Sequence, residues 1–233
     1  MLVAAGSSNG RTTGSGPVNL GSSPGPASFL VAAGILFAAI FMTHGFNRES
    51  LVAYSGTMIA VLITSILAII SVDLTHLSGF TGEESTYLNF NTGGTLDFSH
   101  LLLGVIIIGM LGVLDDIAVT QAAVVTELYQ SNKNISHKDV YHRAMRVGRE
   151  HVGALVNTLV LAYTGISLPL LLYFYISPIN LGAMINLEMF ATEIVRMIIS
   201  SIGLILTVPI VTYLASRYLK NYTPKHPHTH HHH

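Results

Sequence analysis

Two adjacent aspartates, Asp115 and Asp116, are the residues of this chain best suited to chemistry, because they interrupt a long apolar run at 101–129. They lie about midway along that run. A charged side chain at the centre of a bilayer costs at least about 2.5 kcal/mol, so some interaction must offset this cost. Two carboxylates so close together repel each other, and one is expected to hold a proton near neutral pH. The pair therefore predicts a site that exchanges a proton or binds a cation.

The alternative interpretation of this pair is structural. In that interpretation the two carboxylates only accept hydrogen bonds or neutralise a buried cation such as Arg196. Helical spacing puts Asp115 on a face with the small residues Ala118 and Ala122, where a neighbouring helix can approach closely. An adjacent face of the same helix carries Asp116, Thr120, Ala123 and Glu127.

Glu193 and Arg196 form a second pair of charges inside an apolar segment. They are three positions apart, so they lie on the same side of a helix. Arg196 lies about eight residues, or about 12 Å, from the outer end of its segment, and the aspartates lie deeper. Two partners are therefore open for Arg196: the neighbouring Glu193, or an aspartate that its long side chain reaches. We expect Glu193 and Arg196 to act as an electrostatic gate.

Several uncharged polar residues fall in the same apolar segments. Asn157 and Thr158 lie near the start of the fourth segment and, with Thr120 and Gln121, are expected to line a transport route. The alternative role is hydrogen bonding between helices, which is worth about 0.6 kcal/mol for each bond. Pro169 is expected to kink its helix, because proline lacks the N–H group that a helix requires.

The sequence also excludes several classes of function. It has 0 cysteines, so it can form neither a disulfide framework nor a thiolate metal site. It contains no phosphate-binding glycine loop, no zinc-binding HExxH motif and no nucleophile elbow. Its net charge of -1 argues against a nucleic-acid partner. We therefore predict that the protein is not an enzyme and needs neither a cofactor nor a metal.

Composition indicates the elements that hold these residues. Hydrophobic residues make up 50% of the chain and charged residues 10%, whereas soluble domains have about 25% charged residues. The mean hydropathy is +0.56. A helix needs about 20 mostly apolar residues to cross a bilayer. We predict an all-α, polytopic transmembrane bundle over 28–220, with five spans near 28–43, 51–72, 101–129, 152–175 and 189–219.

The distribution of Lys and Arg predicts the orientation of the bundle. None occurs between residues 51 and 132, whereas the linker 133–149 contains five and the C-terminus three more. By the positive-inside rule the linker and the C-terminus are cytoplasmic, and the acidic loop 73–100 and the N-terminus are outside. An outside N-terminus without a signal peptide leads us to expect a further segment upstream of this chain. The predicted location is the bacterial cytoplasmic membrane.

Four other segments have their own patterns. Residues 1–27 are predicted to be a flexible Gly/Ser-rich segment or a cloning remnant, and 221–233 a His-rich tail that is a purification tag or a natural metal-binding tract. The linker 136–151 is predicted to be an amphipathic helix on the membrane surface, starting at a capping-box-like Ser136 and Asp139, or else a solvated basic loop. The stretch 83–94 is predicted to be an irregular or re-entrant loop.

Four blocks in the order in which they occur carry a resemblance to a known family. From residue 43 to residue 215 the chain resembles the YibE/F family of multi-pass bacterial membrane proteins. The resemblance implies a permease-like protein without an established substrate. The family pattern has one aspartate in its central helix, and that position corresponds to Asp116 or Asp115. Family members often carry an extracytoplasmic domain and further helices before this region. The blocks are THGFNRESLVAYSGT, GMLGVLDDIAVTQAAVVTEL, MRVGREHVGALVNTLVLAYTGISLPLLL and ATEIVRMIISSIGLILTVPI.

The predicted topology is also similar to one half of the SecDF and resistance-nodulation-division transporters. Each half of those proteins places five helices after an extracytoplasmic domain, with an essential aspartate in the third helix. The likeness is one of topology more than of residues, so it is an analogy. It favours proton-driven work at Asp115 or Asp116.

The function predicted from the sequence is a membrane permease or transporter subunit that is coupled to protons or cations. Its substrate, a small solute or ion, is not named by the sequence. An odd number of spans predicts a homo-oligomer or a paired membrane subunit that supplies the rest of the pathway. Two alternatives are a scaffold or export-accessory protein that transports nothing, and a passive channel.

Overall fold

The computed structural model describes residues 26–178, 180–220 and 222. The flexible segment predicted at the N-terminus and the His-rich tail lie almost wholly outside these residues. Within the described part every regular element is an α-helix, so the prediction of an all-α protein is confirmed. The helices are α1 (Pro26–His44), α2 (Arg48–Thr75), α3 (Glu83–Asn91), α4 (Phe98–Ser131), α5 (His137–Ile166), α6 (Leu168–Ile176), α7 (Leu181–Ile185) and α8 (Glu188–Tyr218).

Several of these helices are suited to a membrane. The three helices α2, α4 and α8 are long and apolar enough to cross a bilayer, and α5 with α6 makes a fourth crossing if the bent pair is one span. The first apolar segment is shorter and lies in α1. Each of the five apolar segments predicted from the sequence therefore falls on one helix or on the bent pair, and these helices indicate a membrane protein.

Hydrophobic clusters give the direction of each helix relative to α4, which contacts α1, α2, α5 and α8. Val52 at the start of α2 shares a cluster with Tyr129, whereas Val72 at its end shares one with Leu102, so α2 is antiparallel to α4. By the same criterion α1 and α8 are parallel to α4, and α5 is antiparallel to it. For α1 the pairs that share a cluster are Ala32 with Leu111 and Ile40 with Ala122; for α8 they are Ile199 with Leu102 and Ala215 with Tyr129; for α5 they are Val140 with Tyr129 and Val156 with Ile117.

The two ends of the bundle differ in charge. The end where α4 and α8 finish and α5 begins is called the basic end here, because Lys138, Arg143, Arg146, Arg149 and Arg217 lie there. The opposite, acidic end holds α3 and the loops around it. The directions of α1, α2, α4, α5 and α8 alternate along the chain. The assignment of the basic end to the cytoplasm stays a prediction from the charges.

Close crossings hold α2 against α8. A Cβ atom on Gly56 would lie 2.6 Å from Val211 Cγ2, and one on Gly203 would lie 2.8 Å from Thr64 Cγ2. Both positions therefore have room only for glycine. Small residues of this kind let helix backbones approach each other in a membrane, where van der Waals packing rather than the hydrophobic effect drives association.

At the acidic end, Glu188 in the first turn of α8 holds the loop that follows α2. The Ser78 hydroxyl donates to Glu188 Oε2 at 2.7 Å, and the Gly79 N–H donates to Glu188 Oε1 at 2.7 Å. Gly79 has a φ of 83°, which favours glycine, and a Cβ there would collide with the carbonyl group of Phe98. The loop is thus fixed to both α8 and α4.

The prediction that 83–94 is irregular is wrong, because residues 83–91 form α3. Ser85 Oγ accepts a hydrogen bond from the Gly82 N–H at 3.3 Å and donates to the Gly82 carbonyl at 2.7 Å. Glu83 and Glu84 in the first turn stabilise the helix, because their negative charges lie at the positive end of its dipole. These local contacts start a helix that the low hydropathy of the segment did not indicate. With 9 residues, the helix is too short to span a bilayer.

The prediction of a separate surface helix at 136–151 is also wrong, because α5 runs without a break from the linker into the fourth apolar segment. Its predicted start is confirmed, since Ser136 Oγ accepts from the Asp139 N–H at 3.1 Å. The apolar stripe Val140, Ala144 and Gly148 is buried in the bundle rather than in a lipid surface. The kink expected near Pro169 is confirmed, with a bend of 56° between α5 and α6.

Candidate functional site

The two aspartates of α4 lie on different sides of the helix. Asp115 is half-buried on the side that faces α1, where the imidazole of His44 is close enough to interact with it electrostatically. Asp116 is exposed on the neighbouring side. Adjacent residues are about 100° apart on a helix, so the two carboxylates face different sides, although they still repel each other.

Neither carboxylate has a fixed partner among the described residues. Asp115 Oδ1 is buried without a hydrogen bond in that part of the chain. The hydrogen bond recorded at Asp116 involves its backbone, because its carbonyl accepts from the Thr120 hydroxyl at 2.7 Å. An unpartnered buried polar atom costs about 1–3 kcal/mol. The two side chains are therefore open to a proton, a water molecule or a cation.

The depth of the aspartates follows from the contacts of Gln121. Gln121 Nε2 lies 2.9 Å from the Ala144 carbonyl oxygen, so the exposed Arg146 on the next turn of α5 lies at about the depth of Gln121. Asp116 is five residues before Gln121, which is about 7.5 Å along the helix axis. The aspartates are therefore nearer to the basic end than their place midway along the apolar run predicts. Residues 122–129 extend the run, but they lie beside the basic part of α5.

Gln121 itself belongs to a packed interface. Its side chain is 1% exposed, and Nε2 donates to the Ala144 carbonyl and, at 2.7 Å, to Thr212 Oγ1. The Thr212 hydroxyl in turn donates to the Val208 carbonyl at 2.6 Å. Gln121 thus joins α4, α5 and α8, and the structure places it apart from the exposed side of α4 that carries Asp116.

The predicted polar face of α4 is present on the surface of the chain. Asp116, Thr120 and Glu127 are all exposed, and their spacing puts them on one side of the helix. Glu127 lies about two turns beyond Thr120, beside the basic part of α5. On this face Glu127 therefore lies nearest the basic end and Asp116 lies farthest from it.

The α5 residues Asn157 and Thr158 are exposed as well. Gly148 packs against Gln121, so Asn157 and Thr158, nine and ten positions further along α5, lie farther from the basic end than Asp116, which is five positions from Gln121. The Thr158 hydroxyl donates to the Ala154 carbonyl at 3.0 Å. No hydrogen bond of the Asn157 side chain, and none from either side chain to Asp116, occurs among the described residues.

Arg196 pairs with Glu193. Arg196 Nη1 lies 3.2 Å from Glu193 Oε1, so of the two predicted partners the local one is observed. Arg196 also lines a cleft of about 230 Å³ at the acidic end, together with Glu84 of α3 and Val105 of α4. Val105 is ten residues before Asp115, or about 15 Å along the axis. The ion pair and the aspartates are therefore two separate sites.

A further polar cluster at the basic end was not predicted from the sequence. The Tyr129 hydroxyl donates to the Ser216 carbonyl at 2.6 Å, and His137 Nδ1 lies 2.6 Å from the same oxygen. The Tyr129 hydroxyl also lies 2.8 Å from His137 Nδ1, so the three groups form one cluster. The short connection after α4 brings Tyr129 and His137 together, but no signal in the sequence points to Ser216 or to the proximity of His44 and Asp115.

Comparison with known proteins identifies the family. A family model described as YibE/F-like protein matches residues 17–221. No curated protein and no solved structure matches the chain. The matched region includes all eight described helices and both aspartates. With most of its length covered by that match, the chain belongs to the YibE/F-like family of proteins.

Proposed function

We propose that this chain is a membrane permease, or the transport subunit of a larger assembly, and that a proton or a cation drives it through Asp115 and Asp116. Its cargo is a small solute or ion, and its location is the bacterial cytoplasmic membrane. One observation carries the proposal: two carboxylates in an apolar helix lack a hydrogen-bond or ion-pair partner among the described residues.

The main rival is a scaffold in which polar groups only lock helices together. A scaffold has no use for carboxylates that are left without a partner in an apolar helix. Gln121 shows how this bundle builds a locking contact, with a buried side chain and two hydrogen bonds. The aspartates have no such bonds, which supports a mobile partner over a fixed one.

The two aspartates have different roles in this proposal. Asp115 is half-buried with Oδ1 unpartnered among the described residues, a position that suits a group that gains and loses a proton. Asp116 is exposed beside the Thr120 hydroxyl, an arrangement that suits an ion or a water molecule entering from the side of the helix. One group that exchanges protons and one that meets the entering ion are the parts a coupled transporter needs.

The Glu193–Arg196 pair acts as the gate at the acidic end. Its side chains are 22% and 19% exposed, and Arg196 Nε and Glu193 Oε2 have no partner in the described part of the chain. Arg196 of this pair lines the cleft at the acidic end. An ion that enters this cleft competes with one of the two charges, which would open the local pair.

The test is proton movement in proteoliposomes that carry a pH-sensitive dye, measured against a panel of candidate solutes. We expect Asp115→Asn and Asp116→Asn to reduce solute-coupled proton movement about 10-fold or more, equivalent to about 1.4 kcal/mol of lost stabilisation. Glu150→Gln is the control, because Glu150 is an exposed carboxylate in the basic part of α5.

Two results would contradict the proposal. Full coupled flux in both Asn variants would favour the scaffold, provided that they fold like the wild type. Solute flux that needs no ion gradient and ignores both substitutions would indicate a passive channel.

A further inference from the structure

The exposed residues of α4 indicate the level at which the lipid hydrocarbon ends. From Leu101 to Gly112 no exposed residue of this helix has a polar side chain. From Asp116 to Ser131 every exposed residue is polar. Apolar side chains suit lipid tails, whereas polar ones belong among headgroups and water. The hydrocarbon edge on α4 therefore lies between Gly112 and Asp116.

Helix α5 changes character in the same way. Its exposed charged residues all lie between Lys138 and Glu150. The exposed residues from Gly153 to Ile166 carry no charge. A charged side chain is costly in hydrocarbon, so the hydrocarbon edge on α5 lies between Glu150 and Gly153.

The edges found on the two helices coincide. Gln121 of α4 packs against Gly148 of α5 and donates to the Ala144 carbonyl. Asp116 is five residues before Gln121, so it is level with about residues 149–153 of the antiparallel α5. Two helices therefore place the hydrocarbon edge at the same level of the bundle.

Arg146 and Arg149 lie at this level, on the side of the basic end. They are three positions apart, so they lie on one side of α5, and both are exposed. Neither forms an ion pair with a carboxylate of the described residues, and this includes Glu150, which follows Arg149 directly. From Lys138 to Glu150 the helix has four Lys and Arg residues against two carboxylates. The two arginines thus present excess positive charge at the height of the lipid headgroups.

A phosphate group is the anion that suits this pair. A guanidinium group is planar and binds phosphate through two parallel N–H donors, so neighbouring arginines can share one phosphate diester. Gly153 lies one turn beyond Arg149, and a Cβ added to it would meet nothing within 4 Å. The side of the helix that faces the hydrocarbon there has room for the glycerol and acyl chains of a lipid.

We propose that Arg146 and Arg149 bind the phosphate of an anionic phospholipid at the hydrocarbon edge. A lipid is favoured over a soluble acidic partner because both arginines lie at the level where headgroups meet the tails. An anionic headgroup is favoured over a zwitterionic one, since the ammonium group of the latter already compensates its phosphate. The inference depends on the position of the charges and not on the transport function proposed above.

Native mass spectrometry of the purified chain in detergent tests this site. The chain is titrated with dioleoylphosphatidylglycerol or with dioleoylphosphatidylcholine, which have the same acyl chains but differ in net charge. We expect the wild type to bind the phosphatidylglycerol more tightly. The double variant Arg146→Gln with Arg149→Gln should bind it about 25-fold more weakly, because each cation near an anionic lipid contributes about 5-fold, equivalent to about 1 kcal/mol.

The matched control is Lys138→Gln with Arg217→Gln, which removes the same charge from the same end of the bundle. The residue before each of them contacts the side chain of Tyr129. Tyr129 lies about 20 Å beyond Asp116 along the axis of α4, so these cations are far from the hydrocarbon edge. The control should bind phosphatidylglycerol like the wild type. Equal weakening in both double variants would mean that only the overall charge attracts the lipid, and the proposed site would be wrong.

Inorganic phosphate distinguishes a lipid from a free anion. The unfolding temperature in detergent should rise with added phosphatidylglycerol and not with the same concentration of inorganic phosphate, since only the lipid has acyl chains that hold its phosphate at the hydrocarbon edge. Equal stabilisation by both, or equal binding of the two lipids by the wild type, overturns the proposal. All four substituted side chains are exposed, so both double variants should unfold at the temperature of the wild type without lipid. Lipid binding without any solute movement would contradict the transport function and leave this inference standing.

Discussion

Two polar positions on α4, only five residues apart, have opposite surroundings. Gln121 is 1% exposed and donates two hydrogen bonds that join α4 to α5 and α8. Asp116 is exposed, and its carboxylate bonds to none of the described residues. The comparison teaches that this bundle satisfies the polar groups that hold it together. The polar groups that it leaves without a hydrogen bond are then the ones available to bind an ion, a water molecule or another partner.

The largest effect on stability is expected where Gln121 meets α5. A Cβ on Gly148 would lie 2.5 Å from Val208 Cγ1 and 2.9 Å from Gln121 Oε1, so Gly148→Val overfills the interface. We expect a loss of about 1–3 kcal/mol in the free energy of unfolding. Circular dichroism during heating in detergent measures it.

Gly153→Val is the matched control for that substitution. A Cβ on Gly153 meets nothing within 4 Å, and the position lies on the same helix, so both variants share the same change in helix propensity. Equal unfolding temperatures in the two variants would show that the contact between Gly148 and Gln121 does not limit stability.

A smaller loss is expected for Gln121→Leu, about 0.6–1.7 kcal/mol for hydrogen bonds between membrane helices. Gln130→Leu, an exposed glutamine on the same helix, should change stability little. Combining Gln121→Leu with Thr212→Val gives a double-mutant cycle, in which the losses should be less than additive because the two side chains share one bond. Strict additivity would contradict the locking role of Gln121.

The smallest effect on stability is expected for Asp116→Asn. No bond to a described residue is lost, and an amide costs less than a carboxylate in an apolar setting, so unfolding should stay unchanged or shift slightly upward. The same thermal scans measure it. A loss as large as that of Gln121→Leu would place Asp116 among the residues that hold the bundle together, and the contrast between the two positions would be gone.

Local rules account for what the sequence could predict. Ser136 caps α5 and Glu193 pairs with Arg196, because each contact spans three positions of one helix. The break before Pro169 is likewise set by one residue and its own backbone. The long apolar segments form helices because every backbone N–H and C=O group in lipid must be hydrogen-bonded within the protein.

What the sequence could not predict depends on contacts between distant segments. The depth of Asp116 was misjudged because residues 122–129 are apolar for packing against α5, not for contact with lipid. The buried role of Gln121 depends on Thr212, which lies 91 residues away in the chain. The separate surface helix was expected because the cations of the linker conceal the stripe of Val140 and Ala144 that is buried in the bundle.

The cluster of Tyr129, His137 and Ser216 has a consequence for how the bundle can move. The Tyr129 hydroxyl at the end of α4 donates to the Ser216 carbonyl of α8, and His137 Nδ1 at the start of α5 lies 2.6 Å from the same oxygen. One carbonyl oxygen of α8 therefore joins the last turn of α4 to the first turn of α5. Any rocking of these three helices would have to pivot about that contact.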